Sequence, residues 1–600
     1  MYIAIGNMIT SSSQMNGAAA SGGGGSRETK LVFEVTVDAS DLTFKIDTGA
    51  GSGFGGTNYN VSWGDGSSDS AQIHDITHTY SSAGTYEIKV DGRFLMNNQS
   101  GGAANALKIT KFKNWGTAEC EFVSLYRMFY KCKNMTWEAT DYPNISNLGV
   151  GGAKHFTETF RECESILNLD LSNWQNTDNF STHGNAFLGM DNLESLNVTG
   201  WDFSNSTGTN GLFSEIGKLT TNGCLLTAPN LNISNSSNTS ALLNMFQAAK
   251  LATGTDFTNW TLPTVPHSWQ TAFYLAKGSA FATIDLTSWS NKNPSTLFRA
   301  FRGVNDPTGN INQTATINLT GIDTSSCISF RELLKDNRFL TNVIGFSALD
   351  STATTANSIG SAFSNCARLG NLNQIPSTFW QNVDAGGGTG LGNTFANVGV
   401  SVSGGVNPPN FGTATFSASQ NFTSMFQQAR FNGTIDTSGF RFTSVITTGA
   451  QNMFYLSRGI GDIDASNWGI TSSLTSFRNW TRDSDDITSI NFGTGTSTND
   501  FSGVTTFQDF TRLSEVTSID FPTNADFSSV TNMTNFSFSS QQTMSTAQYD
   551  NFLVRFDATN SNSGITLSMG SNTFTNGSAA ATARANIIAR GNTITDGGGV

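Results

Sequence analysis

The chain is poor in charged residues, proline and cysteine, and these shortages exclude several classes of protein. Charged residues make up 13% of the 600 residues, Pro contributes 10 and Cys 6. The formal net charge is −13, and no cluster of Lys or Arg offers a site for phosphate backbones or anionic lipid. No apolar run is long enough for a membrane-spanning helix. We therefore expect neither nucleic acid nor a membrane as a partner.

Targeting signals are missing as well. The N-terminal segment, 1–26, contains no Lys or Arg, and its apolar run is shorter than the core of a signal peptide. The final segment, GNTITDGGGV, carries no hydrophobic tail. A Gly/Ser tract at 21–26 is typical of a flexible linker. Residues 1–26 are predicted to be an anchoring peptide and linker, and secretion by an ordinary signal peptide is not expected.

Aromatic residues, in contrast, are plentiful, and 45 Phe with 11 Trp supply enough apolar bulk for an ordered core. Within 27–95, the segments KLVFEVTV, LTFKID and YEIKV have an apolar residue at every second position. This period is typical of half-buried strands. It predicts a small β-sandwich over 27–95.

Two motifs of this region, VSWGDGSSDS and HTYSSAGTYEIKV, resemble the polycystic-kidney-disease (PKD) type of immunoglobulin-like domain. Trp63 and Tyr80 suit its core, and Gly84 is expected to have a positive φ between strands. Asp65 suits a tight turn, and this interpretation is favoured over a calcium ligand because no series of further ligands accompanies it. The domain is predicted to act as a spacer.

From about residue 96 a longer period begins, marked by a recurring Phe. Successive Phe positions lie mostly about 26 to 33 residues apart. Two of the intervals are about twice as long, and within them the segments SFRELL and SFRNW take the place of the missing Phe segment. About fifteen units are therefore predicted. The anchors are Phe129, Phe160, Phe187, Phe213, Phe246, Phe273, Phe301, Phe363, Phe395, Phe426, Phe454, Phe507 and Phe536.

A second landmark follows the Phe at a fixed distance. Trp174, Trp201, Trp260 and Trp468 each lie fourteen residues after their Phe, and Trp289 lies two residues further on. Between the landmarks, segments such as LNLDLS and ATIDLTSW alternate like one brief strand. The Phe-bearing segment is long enough for one or two helical turns. One short parallel strand and one helical or irregular return in a unit of about 29 residues is the layout of a leucine-rich-repeat solenoid.

The pattern MF-x-x-C followed by L-x-L-D-L-S-N-W resembles the BspA-type leucine-rich repeat of bacterial and bacteriophage surface proteins. Leu169, Leu171 and Trp174 match its strand, and the units near 305–345 and 380–415 depart from it. The resemblance implies a solenoid over 96–540. Its Cys position is occupied by Cys132, Cys163 and Cys366.

The tail, 541–600, is predicted to be an α/β cap over the open end of the solenoid. Tyr549, Phe552, Leu553 and Phe556 lie on one helical face after Ser545 as N-cap. A second helix is expected from about Ala579 to Arg590, ending at Gly591. Similar tails have Trp where this chain has Asn592, so the last strand is expected to be less buried.

No residues form a recognisable catalytic or metal site. The Cys position is filled by Met, Ile, Ala or Val in other units, so a buried free thiol is favoured over a disulfide between Cys132 and Cys163. The acidic cluster of Asp483, Asp485 and Asp486 is interpreted as a solvated loop. No catalytic, cofactor-binding or metal residue is predicted, and no cofactor. The five His are interpreted as surface or turn residues: His74, His78, His155, His183 and His267.

The remaining function is binding. Stacked strands create one long face edged by Asn, Ser and Thr, which suits a glycan or a protein. Because no export signal is present, the leading hypothesis is a bacteriophage virion structural protein: a tail fibre, appendage or head fibre joined to other virion proteins by its N-terminal peptide and adhering to a host-surface glycan or protein. A bacterial cell-surface adhesin is the alternative, and a polysaccharide depolymerase is the second alternative. A homo-oligomer stays open.

Overall fold

The computed structural model describes residues 28–49, 56–98, 102–146, 148, 155–237, 239–305, 314–353, 359–383, 390–412, 414, 416, 421–442, 449–537 and 544–600. The predicted anchoring peptide, 1–26, lies outside these residues. The chain is mainly β, and stacked parallel coils form a β-solenoid of about 17 turns. The prediction of a mainly β solenoid is thus confirmed.

The N-terminal region is built from antiparallel strands. They are β1 Leu31–Val37, β2 Thr43–Ile46, β3 Asn58–Ser62, β4 Ser68–Gln72, β5 Ile76–Thr79 and β6 Gly84–Phe94. Strand β1 pairs with β6, β3 pairs with β6 and β4 pairs with β3, whereas β2 and β5 form a separate pair. Apolar side chains alternate inward as the period of two predicts; Phe33, Val35 and Ile88, for example, are buried.

This N-terminal sheet continues directly into the first coils. After helix α1 (Gly102–Leu107), strand β7 (Ile109–Trp115) pairs antiparallel with β1. Strand β8 (Cys120–Phe122) adds to β6 in parallel, and β9 (Thr136–Trp137) adds to β7 in parallel. One hydrophobic core therefore runs through the N-terminal region and the solenoid. The N-terminal region thus covers the end of the solenoid at its first coil, as a terminal cap does. This is in addition to the predicted role as a spacer.

Successive coils at 168–227, 283–344 and 463–520 each contribute one short strand to a parallel ladder. Leu169, Leu196 and Leu226 are direct partners, so one coil runs from 169 to 196 and the next from 196 to 226. The predicted alternating segments LNLDLS, ATIDLTSW and TSIDFP are such strands. The strands are β10 Asn168–Asp170, β11 Ser195–Asn197, β12 Leu225–Thr227, β13 His267–Ser268, β14 Thr283–Asp285, β15 Pro294–Thr296, β16 Thr316–Asn318, β17 Asn342–Ile344, β18 Ile463–Asp464, β19 Ser489–Asn491 and β20 Ser518–Asp520.

The return was predicted to be helical or irregular, and the Phe-bearing segments are irregular: they are overlapping turns and not helices. Around Phe129, the N–H groups of Met128, Tyr130 and Cys132 bond three residues back within the coil. The N–H of Phe129 itself donates to Thr159 O of the next coil at 3.0 Å. Residues two before and two after the Phe have positive φ, as Arg127 (55°) and Lys131 (61°) do. Because every second N–H points to the next coil, the backbone forms a ladder there and not a helix.

The Phe rings stack from coil to coil in the core. Phe160, Phe187 and Phe213 are nearly parallel, with centroids 5.9 and 6.0 Å apart and interplanar angles of 8° and 6°. A second run joins Phe395 to Phe426 at 5.5 Å and 6°. In the SFRELL segment, Leu334 fills the Phe position. The N–H of Phe301 donates to Leu333 O, the carbonyl directly before Leu334, and the N–H of Leu334 donates to Ala362 O of the next coil.

The predicted register fails in the last coils. The N–H of Phe454 donates to Trp480 O, which places Thr481 at the Phe position, and Thr481 N in turn donates to Phe510 O. The aromatic ring moves to the preceding residue, where Trp480 and Phe510 stack at 5.4 Å and 7°. Phe507 and Phe536 are therefore not anchors. Earlier coils carry Ala, Thr, Leu or Met at that preceding position, so the large and small side chains have exchanged places.

The five Trp landmarks belong to the core, as predicted. Their exposed fractions lie between 0% and 6%. The indole N–H of Trp260 donates to Ala228 O at 2.8 Å, and that of Trp468 donates to Thr437 O at 2.9 Å. Each of these bonds joins one coil to the preceding coil, which explains why the offset from the Phe recurs along the chain.

Helical elements within the solenoid are short. They are α2 Ser377–Asn382 and the 3-10 helices Thr177–Asn179, Ser279–Phe281, Phe346–Ala348 and Leu372–Gln374. Over all the described residues, no helix has the length and apolar character needed to cross a membrane.

The C-terminal end is closed by two helices and two short parallel strand pairs. Helix α3 (Thr546–Thr559) begins with a capping box between Ser545 and Gln548, and its four predicted apolar residues are buried. Helix α4 (Ala579–Ala589) ends before Gly591, whose φ is 88°. Both helix predictions are confirmed. The pairs are β21 Thr566–Ser568 with β23 Thr593–Thr595, and β22 Thr573–Phe574 with β24 Gly598–Gly599.

Candidate binding surface

The strand ladder presents a polar face along the solenoid, which we call the strand face. In the strands of three residues, the central residue is buried and its two neighbours point outward in the three ladders β10–β12, β14–β16–β17 and β18–β20. These outward positions contain no Lys or Arg. They are Asn168, Asp170, Ser195, Asn197, Leu225, Thr227, Thr283, Asp285, Thr316, Asn318, Asn342, Ile344, Asp464, Ser489, Asn491, Ser518 and Asp520.

In most strands, the side chain of the last residue also forms the turn that ends the strand. Oδ1 of Asp170 accepts from Ser172 N at 3.0 Å, and Oδ1 of Asn197 accepts from Thr199 N at 3.0 Å. Asp285 and Asp464 make the same bond to the residue two positions later. This local turn explains the repeated Asp/Asn-x-Ser/Thr motif. It uses one side-chain oxygen and leaves the second carboxylate oxygen or the amide NH₂ facing outward.

The opposite side, formed by the overlapping turns, uses its polar groups internally. Glu158 is 4% exposed and bonds to the guanidinium groups of Arg127 and Arg161, on two successive coils. Further along, Asn397 Nδ2 donates to Asn365 Oδ1 at 2.8 Å. Asn tolerates the positive φ of these positions, and its side chain also hydrogen-bonds to the neighbouring coil. These side chains connect coils, so fewer of them are available to a ligand.

In the N-terminal region, Asp65 forms the predicted turn. Its Oδ1 accepts from Ser67 N at 2.9 Å, and Gly64 and Gly66 on either side have positive φ. Its Oδ2 lies 2.8 Å from Nε2 of His78. The hydrogen bonds from Ser67 lower the pKa of Asp65 to about 2. Trp63 and Tyr80 are buried as expected, but Gly84 lies in β6 and does not have a positive φ, so that prediction was wrong.

The six cysteines are buried free thiols, which confirms the interpretation of Cys132, Cys163 and Cys366. The Cys163 thiol donates to Phe129 O at 3.0 Å. Burial raises the pKa of Cys224 and of Cys327 to about 12, and it raises the pKa values of Cys132, Cys163 and Cys366 as well. Thiols protonated in this way are poor nucleophiles and poor metal ligands.

Two histidines contradict their interpretation as surface or turn residues, because His183 and His267 are fully buried. Nδ1 of His183 lies 3.0 Å from Ser206 Oγ, and its ring is packed against Phe203 with centroids 4.1 Å apart. Burial lowers the pKa of His183 to about 3, so its imidazole is neutral. His267 Nε2 accepts from the indole of Trp269 at 3.0 Å. The sequence does carry a signal for His183, which lies four residues before the anchor Phe187, a position that other coils fill with a buried apolar residue such as Leu125 or Phe156. His267 occupies no such recurring position.

Two carboxylates of the acidic cluster, those of Asp485 and Asp486, bond to the preceding coil, whereas Asp483 pairs with its chain neighbour. Asp485 pairs with Arg458 at 2.5 Å, and Asp483 pairs with Arg482 at 3.1 Å. Asp486 is half-buried and accepts from Gly459 N at 2.6 Å, and burial raises its pKa. Across the part of the chain that the structure describes, no group of three or more His, Cys, Asp or Glu is placed to hold a metal ion.

Comparisons with protein-family models, curated proteins and solved structures find no match to this chain. The two resemblances therefore stay predictions. The function must be inferred from the geometry of the strand face.

Proposed function

We propose that the protein is an elongated adhesive protein that binds a glycan or protein of a host surface through its strand face. The observation that carries this proposal is the contrast between the two sides of the solenoid. The turn side bonds its charges and amides between coils, as Glu158 does with Arg127 and Arg161. The strand face repeats outward Asn, Asp, Ser and Thr on a regular backbone. Such a rigid polar array suits recognition through many weak contacts.

In this proposal the solenoid is a variant of the BspA-type leucine-rich repeat, and the N-terminal region is a PKD-like β-sandwich. The ladders with one short parallel strand from each coil, and a coil length of about 29 residues, support the first assignment. The buried Trp63 and Tyr80 and the turn at Asp65 support the second. On the return side, overlapping turns take the place of short helices.

The setting we propose is a bacteriophage particle, with the bacterial cell-surface adhesin as the alternative. What supports an outward-facing setting is the resemblance of the repeats to those of bacteriophage and bacterial surface proteins. Mass spectrometry of purified particles tests the virion setting, and the chain should be found among the structural proteins. A chain carrying a deletion of Met1 to Gly25 should fold but fail to join the particle. Normal incorporation would refute an N-terminal attachment.

We also propose that the protein does not act as an enzyme. The candidates for chemistry are either buried, like the six thiols, or engaged in ion pairs, like Asp483 and Asp485. Incubation with host surface polysaccharide, followed by size-exclusion chromatography, tests this directly. A fall in polymer size would favour the depolymerase hypothesis instead.

A further inference from the structure

The strand face carries a groove at its N-terminal end, next to the junction with the N-terminal sheet. A depression of about 450 Å³ runs across four successive coils from β9 to β12. Leu169, Leu196 and Leu226 lie beneath it and are buried. Next to it, a second depression of about 380 Å³ reaches the N-terminal sheet at Asn114. Thr140 lines both, and we call the two adjoining depressions the groove.

Hydrogen-bonding groups in this groove are available to a ligand. Asn168 Oδ1 accepts from Ser195 Oγ at 2.6 Å, which fixes the amide and directs its NH₂ away from that bond. Within the described residues, the NH₂ groups of Asn168 and Asn197 and the hydroxyl of Thr227 make no hydrogen bond. Asn197 and Thr227 are direct partners on neighbouring strands, so they lie at roughly the 4.8 Å spacing of a parallel ladder. Asn168 lies in the other outward row, opposite Ser195.

Two aromatic side chains flank these polar groups. Trp137 lies in β9 and is only partly buried. Phe112 covers one face of its ring, with centroids 4.8 Å apart and an interplanar angle of 18°. In the described part of the chain its indole N–H has no partner. Tyr142 lines the other end of the groove and is likewise partly buried. Aromatic rings beside amides and hydroxyls suit the apolar and polar faces of a sugar.

The charge of the groove selects against anionic ligands. Glu28, Glu138, Asp141 and Asp170 line it, and no Lys or Arg does. Of these carboxylates, that of Glu138 is paired with Lys111 at 2.8 Å. Carboxylates accept hydrogen bonds from hydroxyl groups and repel other carboxylates, sulfates and phosphates.

The far end of the strand face is closed to the same ligand. Gln548 of helix α3 donates from Nε2 to Ser518 Oγ and to Asp520 Oδ1, both at 2.8 Å. The C-terminal cap therefore occupies the outward groups of β20. A ligand that needs free groups on several neighbouring strands therefore finds fewer of them at the C-terminal end.

We propose that the groove from Tyr142 to Thr227 is a binding site for an uncharged oligosaccharide. The site deepens the proposed adhesive function and rests on it. The sugar chain runs across the coils, with its hydroxyl groups on Asn168, Asn197 and Asp170 and an apolar ring face near Trp137.

Binding of the full chain to soluble neutral polysaccharides (a glucan, a mannan and a galactan) and to anionic hyaluronate tests the proposal by calorimetry. Asn168→Ala removes an NH₂ of the groove, and Asn342→Ala removes an amide at the same strand position of β17, outside the groove. We expect binding to a neutral polymer, weakened about five- to tenfold by Asn168→Ala and unchanged by Asn342→Ala. Trp137→Phe keeps the ring, removes the N–H donor and should also weaken binding.

Each of the other possible results would contradict a different part of the proposal. Equal affinity of the Asn168→Ala and Asn342→Ala chains would overturn the groove and leave the adhesive function standing. Binding to hyaluronate alone would overturn the neutral ligand. Failure to bind any of the four polymers would overturn the glycan site, and attachment of the same chain to host cells would then show whether adhesion through a protein survives.

Discussion

Replacing Phe395 by Ala would remove one ring from the middle of the Phe stack. Phe395 is fully buried between Phe363 and Phe426, with centroid distances of 5.7 and 5.5 Å. A buried Phe→Ala change costs about 3–5 kcal/mol, because apolar contacts are lost and a cavity remains. The loss of two stacked neighbours places this site in the upper part of that range.

Phe395→Leu is the matched control, since Leu334 fills the same position in another coil and keeps both coil-to-coil hydrogen bonds. We expect it to cost roughly 1.5 kcal/mol, about the value of two buried methylene groups. Amide hydrogen exchange of 390–412 and 421–442 measures both changes locally, because each coil depends mainly on its neighbours. If Phe395→Ala costs less than about 1 kcal/mol, or no more than Phe395→Leu, the ring stack does not stabilise the solenoid.

Three further predictions concern buried polar groups. Trp260→Phe should lower the free energy of unfolding in urea by about 1–3 kcal/mol more than Trp480→Phe does. The reason is that the Trp260 indole bonds to Ala228 O, whereas the buried indole N–H of Trp480 has no partner among the described residues. His183 has a folded pKa of about 3, below its unfolded value, so its stabilising effect is complete above about pH 6.5 and is lost as pH falls, by about 1.4 kcal/mol per unit. His183→Gln should flatten that part of the pH dependence, and an unchanged slope between pH 6.5 and 4.5 would contradict it. The six thiols should react with a maleimide only after unfolding, and rapid labelling of the native chain would show that they are accessible.

Periodicity in the sequence was sufficient to predict the stacked strands and the position of the core. The Leu of LNLDLS and the Trp of LSNW recur because each meets its equivalent on the next coil. The helix after Ser545 was predictable for the same reason, since its apolar spacing and N-cap are local signals.

Features that depend on coil-to-coil contacts were not predictable in the same way. A Phe-bearing segment has the length of a helical turn, and only the alternate bonding of its N–H groups to the next coil makes it a ladder. Residues such as Arg127 and Glu158 give no hint of positive φ, because residues of their types seldom adopt it. The shift from Phe454 to Trp480 preserves aromatic content but moves it by one residue, which spacing alone does not detect.

The existence of a polar strand face was predictable from the sequence, but the location of a binding groove on it was not. The composition of the face follows from the outward positions of each strand. The groove at its N-terminal end depends on Trp137 and on the pairing of β7 with β9, and both belong to the junction with the N-terminal sheet. A repeat pattern carries no information on such a junction, since the unit there is unlike its neighbours.

Small-angle X-ray scattering of the purified chain tests most directly whether one continuous solenoid exists. With about 17 coils at roughly 4.8 Å each, the solenoid alone should be about 80 Å long, and the N-terminal region and the C-terminal cap lengthen it further. We expect a rod-like distance distribution whose longest distance exceeds about 80 Å, whereas a compact chain of 600 residues, with a radius of gyration of about 25 Å, would span about 65 Å. A globular distance distribution that ends near about 65 Å would contradict the stacked coils and the strand face built on them.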